Sequence, residues 1–213
     1  TGGQEYRGRA YGLGSDPRII TQGDLERWLS GNREQVTGSP MPDTGLPDSV
    51  VMLQCVGPWD EESSSDEFYC SRICCMNALK SSLLIREMYP NIEIDIFYID
   101  IRAFGKGFEQ FYHRAINEAK VNFIKGKPSR IAEDPETKDL IIFSENIETG
   151  KTERIRSEMV ILSEALVPSK DSHELANVLD IKTDIRGFFT PVEACGDPIA
   201  ATKEGIYLSG CST

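Results

Sequence analysis

Residues 49–84 read SVVMLQCVGPWDEESSSDEFYCSRICCMNALKSSLL, and the fold follows from how this stretch divides. Its first eight residues, 49–56, form a nearly continuous apolar run of strand length. That is the pattern of a strand covered on both faces. A polar loop follows, carrying Asp60, Glu61 and Glu62 and then Asp66 and Glu67. Helix signals resume at Cys70 and Ser71, with Met76, Leu79 and Leu83 spaced as one buried stripe, and Pro90 ends that helix. Cys55, Cys70, Cys74 and Cys75 punctuate the same stretch as C-x14-C-x3-C-C.

Downstream, residues 92–100 alternate and then become fully apolar, which reads as a second strand. After a glycine turn at Gly105 and Gly107, Phe108, Phe111, Tyr112, Ala115, Ile116 and Ala119 share one helix face. Residues 121–124 read as a third strand. Strand, helix, strand, helix, strand implies a parallel sheet with right-handed crossovers, hence an α/β, Rossmann-like three-layer domain. Two further strands at 140–143 and 159–162 flank a turn at Thr149-Gly150 and read as an antiparallel hairpin. The remainder holds a short helix at 173–179 and a last strand at 205–210. Upstream, 24–29 starts acidic as a first helical turn does. Residues 31–48 (GNREQVTGSPMPDTGLPD) read as a linker that closes a first segment. The expected division is 1–48, 49–168 and 169–213.

The chain has 213 residues, 39% hydrophobic and 27% charged, ordinary values for a globular protein. A net charge of −11 without a basic stripe excludes a nucleic-acid binder. No apolar run is long enough for a membrane span and no signal peptide opens the chain. The start at Thr1 rather than Met suggests an excised piece or processed product. Six cysteines are too sparse for a disulfide scaffold, so a reducing, cytoplasmic setting and metal or redox chemistry are expected.

Four thiolates near one helix start suffice to hold an iron–sulfur cluster. Cys70 and Cys74 would share a helix face, with Cys75 about 100° further round. Free backbone N–H groups at a helix start favour such an anionic group. Zinc would want C-x2-C and a redox dithiol C-x-x-C, and neither occurs. Zinc, a disulfide and plain buried cysteines remain as alternatives. A sheet of this kind usually carries G-x-G-x-x-G for a dinucleotide. Here the turn reads Gly57-Pro58-Trp59-Asp60, and the cysteines stand in the fingerprint's place. Asp100 reads as a strand-end residue, Arg102 and Lys106 as solvated charge or an anion site, and His113 and His173 as surface residues.

The segments LQCVG (53–57), YCSRICCMNALK (69–80), FYIDIRAFGKGFEQFYHRA (97–115), FIKGKPSRI (123–131) and GIYLSGC (205–211) resemble the A-subunit of heterodisulfide reductase. They also resemble the related flavoprotein subunits of quinone-interacting membrane-bound oxidoreductase complexes. The resemblance implies a thioredoxin-reductase-type pyridine-nucleotide domain turned into a cluster-carrying domain, with parts of a flavin-binding domain at both chain ends. It places 4Fe–4S ligands at Cys55, Cys70, Cys74 and Cys75, with Ile73 and Met76 keeping water away. It places FAD contacts at Thr1, Gly2, Gly3, Gly210 and Cys211, the FAD belonging to the full-length parent rather than to this piece alone. It implies electron transfer among FAD, cluster and partner redox subunits, with a homodimer as a further option, at a cytoplasmic or membrane-peripheral location. No catalytic acid, base or nucleophile is expected, and Cys195 has no assigned role. Two other classes stay open: an interaction domain docking through the acidic loop and residues 104–108, and a thiol–disulfide oxidoreductase using Cys74 or Cys75.

Overall fold

The computed structural model describes residues 2–31, 47–57 and 69–213. In chain order its elements are β1 (Gly3–Glu5), β2 (Ile19–Thr21), α1 (Gln22–Leu29), β3 (Ser49–Val56), α2 (Cys74–Met88), β4 (Glu93–Tyr98) and α3 (Phe108–Asn117). There follow β5 (Asn122–Lys125), β6 (Arg130–Glu133), β7 (Leu140–Asn146), β8 (Lys151–Ser157), β9 (Met159–Glu164) and β10 (Leu166–Pro168). The last are α4 (Ser172–Leu179), β11 (Pro191–Glu193) and β12 (Asp197–Ala201). The described residues fall into two compact units, 7–31 with 47–57 and 70–164, and 2–6 with 69 and 165–213.

The larger unit is a five-stranded parallel sheet in the order β2-β9-β3-β4-β5. One face carries Val50, Met52, Ile94, Ile96, Met159 and Ile161 against Leu25 and Trp28 of α1, Ala78, Leu79 and Ile85 of α2, and Ala115 of α3. The other presents Val51, Leu53, Phe97, Val160 and Leu162 to Leu140 and Ile142 of the antiparallel sheet β6-β7-β8. Helices, parallel sheet and antiparallel sheet make the expected three-layer α/β unit. Burial on both faces explains why β3 reads as unbroken hydrophobic sequence.

Local chemistry sets the helix ends. Thr21 caps α1 through a capping box: its hydroxyl accepts from the Asp24 N–H, and the Asp24 carboxylate accepts from the Thr21 N–H. Tyr89 closes α2 with an N–H bond to the Ile85 carbonyl just before Pro90. No described helix is long and apolar enough to cross a membrane.

Four differences from the sequence reading have physical causes. Residues 159–162 leave the expected hairpin and run as β9, parallel between β2 and β3, because MVIL is apolar on both sides. The partner of β7 is the mostly exposed β8, registered Asn146↔Lys151 and inward-facing at Ile155. α2 starts at Cys74, four residues later than expected, so Cys70 lies in the preceding segment. Residues 19–29, grouped by sequence with the N-terminal segment, pack into the parallel-sheet unit through β2 and α1.

In the smaller unit β1 pairs with β10, β11 with β12, and Ala176, Ile181, Phe189, Ala201 and Leu208 form its core. Residues 205–210 make an isolated bridge, Tyr207 to Ala200, ahead of a single 3-10 turn at Gly210–Ser212, instead of the expected strand.

Candidate metal centre

In open α/β sheets, ligands bind at the carboxyl ends of the parallel strands. β3 delivers Cys55 to that edge. Its backbone there is unusual: Cys55 has φ +59°, and the register with β9 shifts between Leu53 and Val56. Regular alternation would send Cys55 to the same packed face as Val51 and Leu53. The irregularity re-aims the side chain, as bulges do beside functional sites, and leaves Cys55 half-buried between the buried Gln54 and Val56. A second left-handed residue, Arg72 at φ +65°, follows Cys70, and its N–H donates to the Cys70 sulfur at 3.4 Å. Two non-glycine residues in this region within one ligand segment mark a locally constrained backbone.

Cys74 and Cys75 open α2, whose N-terminus has no side-chain cap. The Cys75 thiol donates to the Asp100 carbonyl at 3.7 Å, and the Arg102 backbone N–H faces the same sulfur. The loop after β4 therefore supplies backbone groups to the thiol region.

Three of the thiols, Cys55, Cys74 and Cys75, are shifted by burial and by their neighbours. The hydrogen bond from Cys74, opposed by burial, lowers Cys75 to about 7, while the same bond and burial push Cys74 upward. Burial, then the negative charge of Cys75 and Cys70, raises Cys55 to about 11, with Lys127 and Arg102 pulling the other way. Cys55, Cys70, Cys74 and Cys75 thus share one electrostatic neighbourhood, with cationic side chains from the loops after β4 and β5. Among the described residues no group of three or more His, Cys, Asp and Glu is drawn tightly enough to hold a single metal ion. The donor set at this edge is all sulfur and at least half-buried, the chemistry that iron–sulfur ligation uses.

The sequence reading places Cys70 and Cys74 on one helix face. Here Cys70 reaches the region from an irregular segment instead. The same reading passes over the backbone of residues 100–102, Lys127 and Gln54. Their common signal is position, immediately after or at the end of parallel strands. The Asp100 carboxylate pairs with Arg102 at 3.7 Å in solvent, a weak contact. His113 is exposed beside Glu109, and His173 is exposed.

In the smaller unit, Gly2 has φ +94° and Gly210 φ +66°. A side chain at Gly3 would meet the Cys211 carbonyl at 3.2 Å and its Cβ at 3.3 Å, so these two chain segments touch. Thr1 lies outside the described residues. Cys195 is exposed in the turn between β11 and β12.

No protein-family model matches the chain. It is 38% identical over 203 residues to the second CoB–CoM heterodisulfide reductase iron-sulfur A-subunit of Methanopyrus kandleri, covering 94% of this chain and 30% of that protein. It is 39% identical over 201 residues to the CoB–CoM heterodisulfide reductase iron-sulfur A-subunit of Methanocaldococcus jannaschii, with the same coverages of 94% and 30%. With the A-subunit of the ferredoxin:CoB-CoM heterodisulfide reductase of Methanosarcina acetivorans it is 34% identical, covering 99% of this chain and 30% of the relative. The chain therefore spans about 30% of the length of these relatives. Among solved structures, T. acidophilum thioredoxin reductase superimposes over 100% of this chain and 56% of its own, with a TM-score of 0.52 at 13% identity. L-lysine 6-monooxygenase from Pseudomonas syringae covers 86% of this chain and 49% of its own, with a TM-score of 0.52 at 10% identity. These two establish the fold alone. The sequence relatives go further: over nearly its whole length this chain is homologous to an internal part of heterodisulfide reductase A-subunits.

Proposed function

We propose that this chain is the cluster-bearing part of an oxidoreductase subunit that passes electrons among FAD, a 4Fe–4S cluster and partner redox subunits. Cys55, Cys70, Cys74 and Cys75 hold the cluster, and the parallel-sheet unit, which β2 and α1 join and which ends at Glu164, is its domain. Residues 1–6 and 165–213 belong to the flavin side, where Thr1, Gly2, Gly3, Gly210 and Cys211 contact FAD in the complete protein. One observation carries the reading. The four cysteines that replace a dinucleotide fingerprint share one electrostatic neighbourhood at the carboxyl edge of a parallel sheet. The contact between Gly3 and Cys211 supports the flavin part, because it joins the two glycine-bearing segments assigned to it.

When bound, the cluster supplies one-electron transfer. The chain's own residues ligate, orient and shield. The backbone N–H groups of Arg72 and Arg102 direct positive dipoles at the Cys70 and Cys75 sulfurs. Lys127 and Arg102 offset negative charge near Cys55. Half-buried Met76 and more exposed Ile73 stand at the start of α2 and limit water access. No nucleophile is required at the cluster, since one-electron transfer there forms no covalent bond to a side chain.

Relatives named as A-subunits of heterodisulfide reductases point to partner redox subunits for this chain. A homodimer and a cytoplasmic or membrane-peripheral place belong to the same reading. The test is anaerobic iron and acid-labile sulfide analysis of the protein and of its four single Cys→Ser variants. About four irons per chain are expected, as a 4Fe–4S core requires, with loss in each variant. Iron at one equivalent, or iron retained after any of the four replacements, refutes the ligand assignment.

A further inference from the structure

Gln54, adjacent to Cys55, is 3% exposed, and neither Nε2 nor Oε1 has a hydrogen-bond partner among the described residues. Buried carboxamides are normally paired, because stripping them of water without a replacement bond is costly. Gln22 illustrates the normal case in the same layer. At 4% exposed, its Nε2 donates to the Ser163 hydroxyl at 3.3 Å and contacts the Met52 sulfur at 3.5 Å, and its Oε1 accepts from the Ser81 hydroxyl at 3.3 Å.

The Gln22 contacts also locate Gln54. They set Met52 of β3 and Ser81 of α2 at one level of the fold. Two residues along β3 advance the chain about 7 Å toward the carboxyl edge and restore the same, helix-covered face. Six residues back along α2, which runs antiparallel to the strand, advance about 9 Å the same way and arrive at Cys75. Gln54 therefore stands level with the first turn of α2, on the side where that helix packs. Its neighbour Cys55 and the pair Cys74-Cys75 lie at that same level.

We infer that the Gln54 carboxamide donates through Nε2 to a sulfur of the iron–sulfur cluster held by Cys55, Cys70, Cys74 and Cys75, and thereby sets its reduction potential. The inference rests on the ligand reading above. A primary amide presents two N–H donors, the sulfurs of an anionic four-thiolate cluster are acceptors, and nothing else described there accepts them. Donors aimed at cluster sulfur favour the reduced, more negative state and so raise the potential.

The experiment compares wild-type protein, Gln54→Leu and Gln54→Met in the complete subunit, purified anaerobically. Iron and sulfide content is measured first, then midpoint potential by EPR-monitored redox titration. The deuterium shift of the Fe–S stretching bands by resonance Raman is the third measurement. The expected result is retained iron in at least one variant and a midpoint lowered by about a tenfold change in the reduction equilibrium, which is 59 mV for one electron. Part of the deuterium shift should also disappear. Retained iron with an unchanged midpoint and unchanged deuterium shift overturns the inference and leaves the ligand reading intact. Iron lost from both variants, with the fold kept by circular dichroism, also overturns it, since Gln54 would then be needed for assembly. Wild-type protein without iron overturns the ligand reading and this inference together.

Discussion

Cys55 sits in a strand with φ +59°, a region that costs a side-chain-bearing residue roughly 1–2 kcal/mol. Glycine escapes that penalty, while a glycine inside a strand is ordinarily about 0.5–1 kcal/mol less stable than alanine. At Cys55 the two effects oppose each other, and the conformational penalty is the larger. Cys55→Gly and Cys55→Ala both remove the thiol, so their difference isolates the backbone. Metal-free Cys55→Gly should be more stable than metal-free Cys55→Ala by roughly 0.5–1 kcal/mol, the reverse of the order at a regular strand position. The assay is urea denaturation of both proteins under reducing, anaerobic conditions, followed by circular dichroism, with the slopes compared so that a change in the unfolded state is detected. A glycine variant less stable than the alanine variant by about 0.5 kcal/mol or more would refute the reasoning. Cys55 would then adopt its conformation without strain, and the bulge would hold no energy at the ligand position.

Three further outcomes are expected. In metal-free protein, thiolate absorbance should show one step near pH 7, absent in Cys75→Ala. In Cys74→Ala that step should move up toward the ordinary thiol value of 9.0, because the hydrogen bond holding the Cys75 thiolate is gone. Leu79→Ala, truncating a fully buried side chain of α2, should cost about 2–5 kcal/mol in denaturant unfolding, since the cavity lies beneath the helix that carries two cysteines. Burial works to raise the Asp24 carboxyl, but Arg27, Arg7 and Thr21 outweigh it and hold the value below 3.8. Its folded value being the lower one, its stabilisation is complete above the unfolded value and fades as pH falls through 3.8 and below. Asp24→Asn should flatten that acid limb, and should cost about 1 kcal/mol at neutral pH through the weakened cap.

Much of the larger unit was readable from residue pattern. Residues 49–56 are apolar without alternation because both faces of β3 are covered, and the bounds agree with the structure. The helix after Gly107 and the stop before Pro90 followed from periodicity and from proline's missing N–H. The failures share a cause, since each depended on a partner far away in sequence. Residues 159–162 look like a hairpin strand locally, yet they become the central β9 because β2 and β3, more than a hundred residues upstream, offer two parallel edges. The pair β11-β12 is short and has a proline in each strand, which demotes a strand reading, so local pattern passes over it. The late start of α2 escaped notice because the stripe from Met76 to Leu83 is the same whether the helix begins at Cys70 or Cys74.

For the candidate site, cysteine spacing pointed to the four thiols, since sulfur chemistry is written in residue type. Spacing could not provide their surroundings. The left-handed backbone at Cys55 and Arg72, the Arg102 N–H facing Cys75, the Lys127 charge near Cys55 and the unpartnered Gln54 exist only after the chain folds. Sequence alone determined the α/β layering and the candidate donor atoms, because hydrophobic period and side-chain chemistry are properties of single residues and near neighbours. Tertiary structure decided which strands adjoin, where Cys55 is aimed and which polar groups are left without partners, because those depend on contacts between segments that loop closure alone brings together.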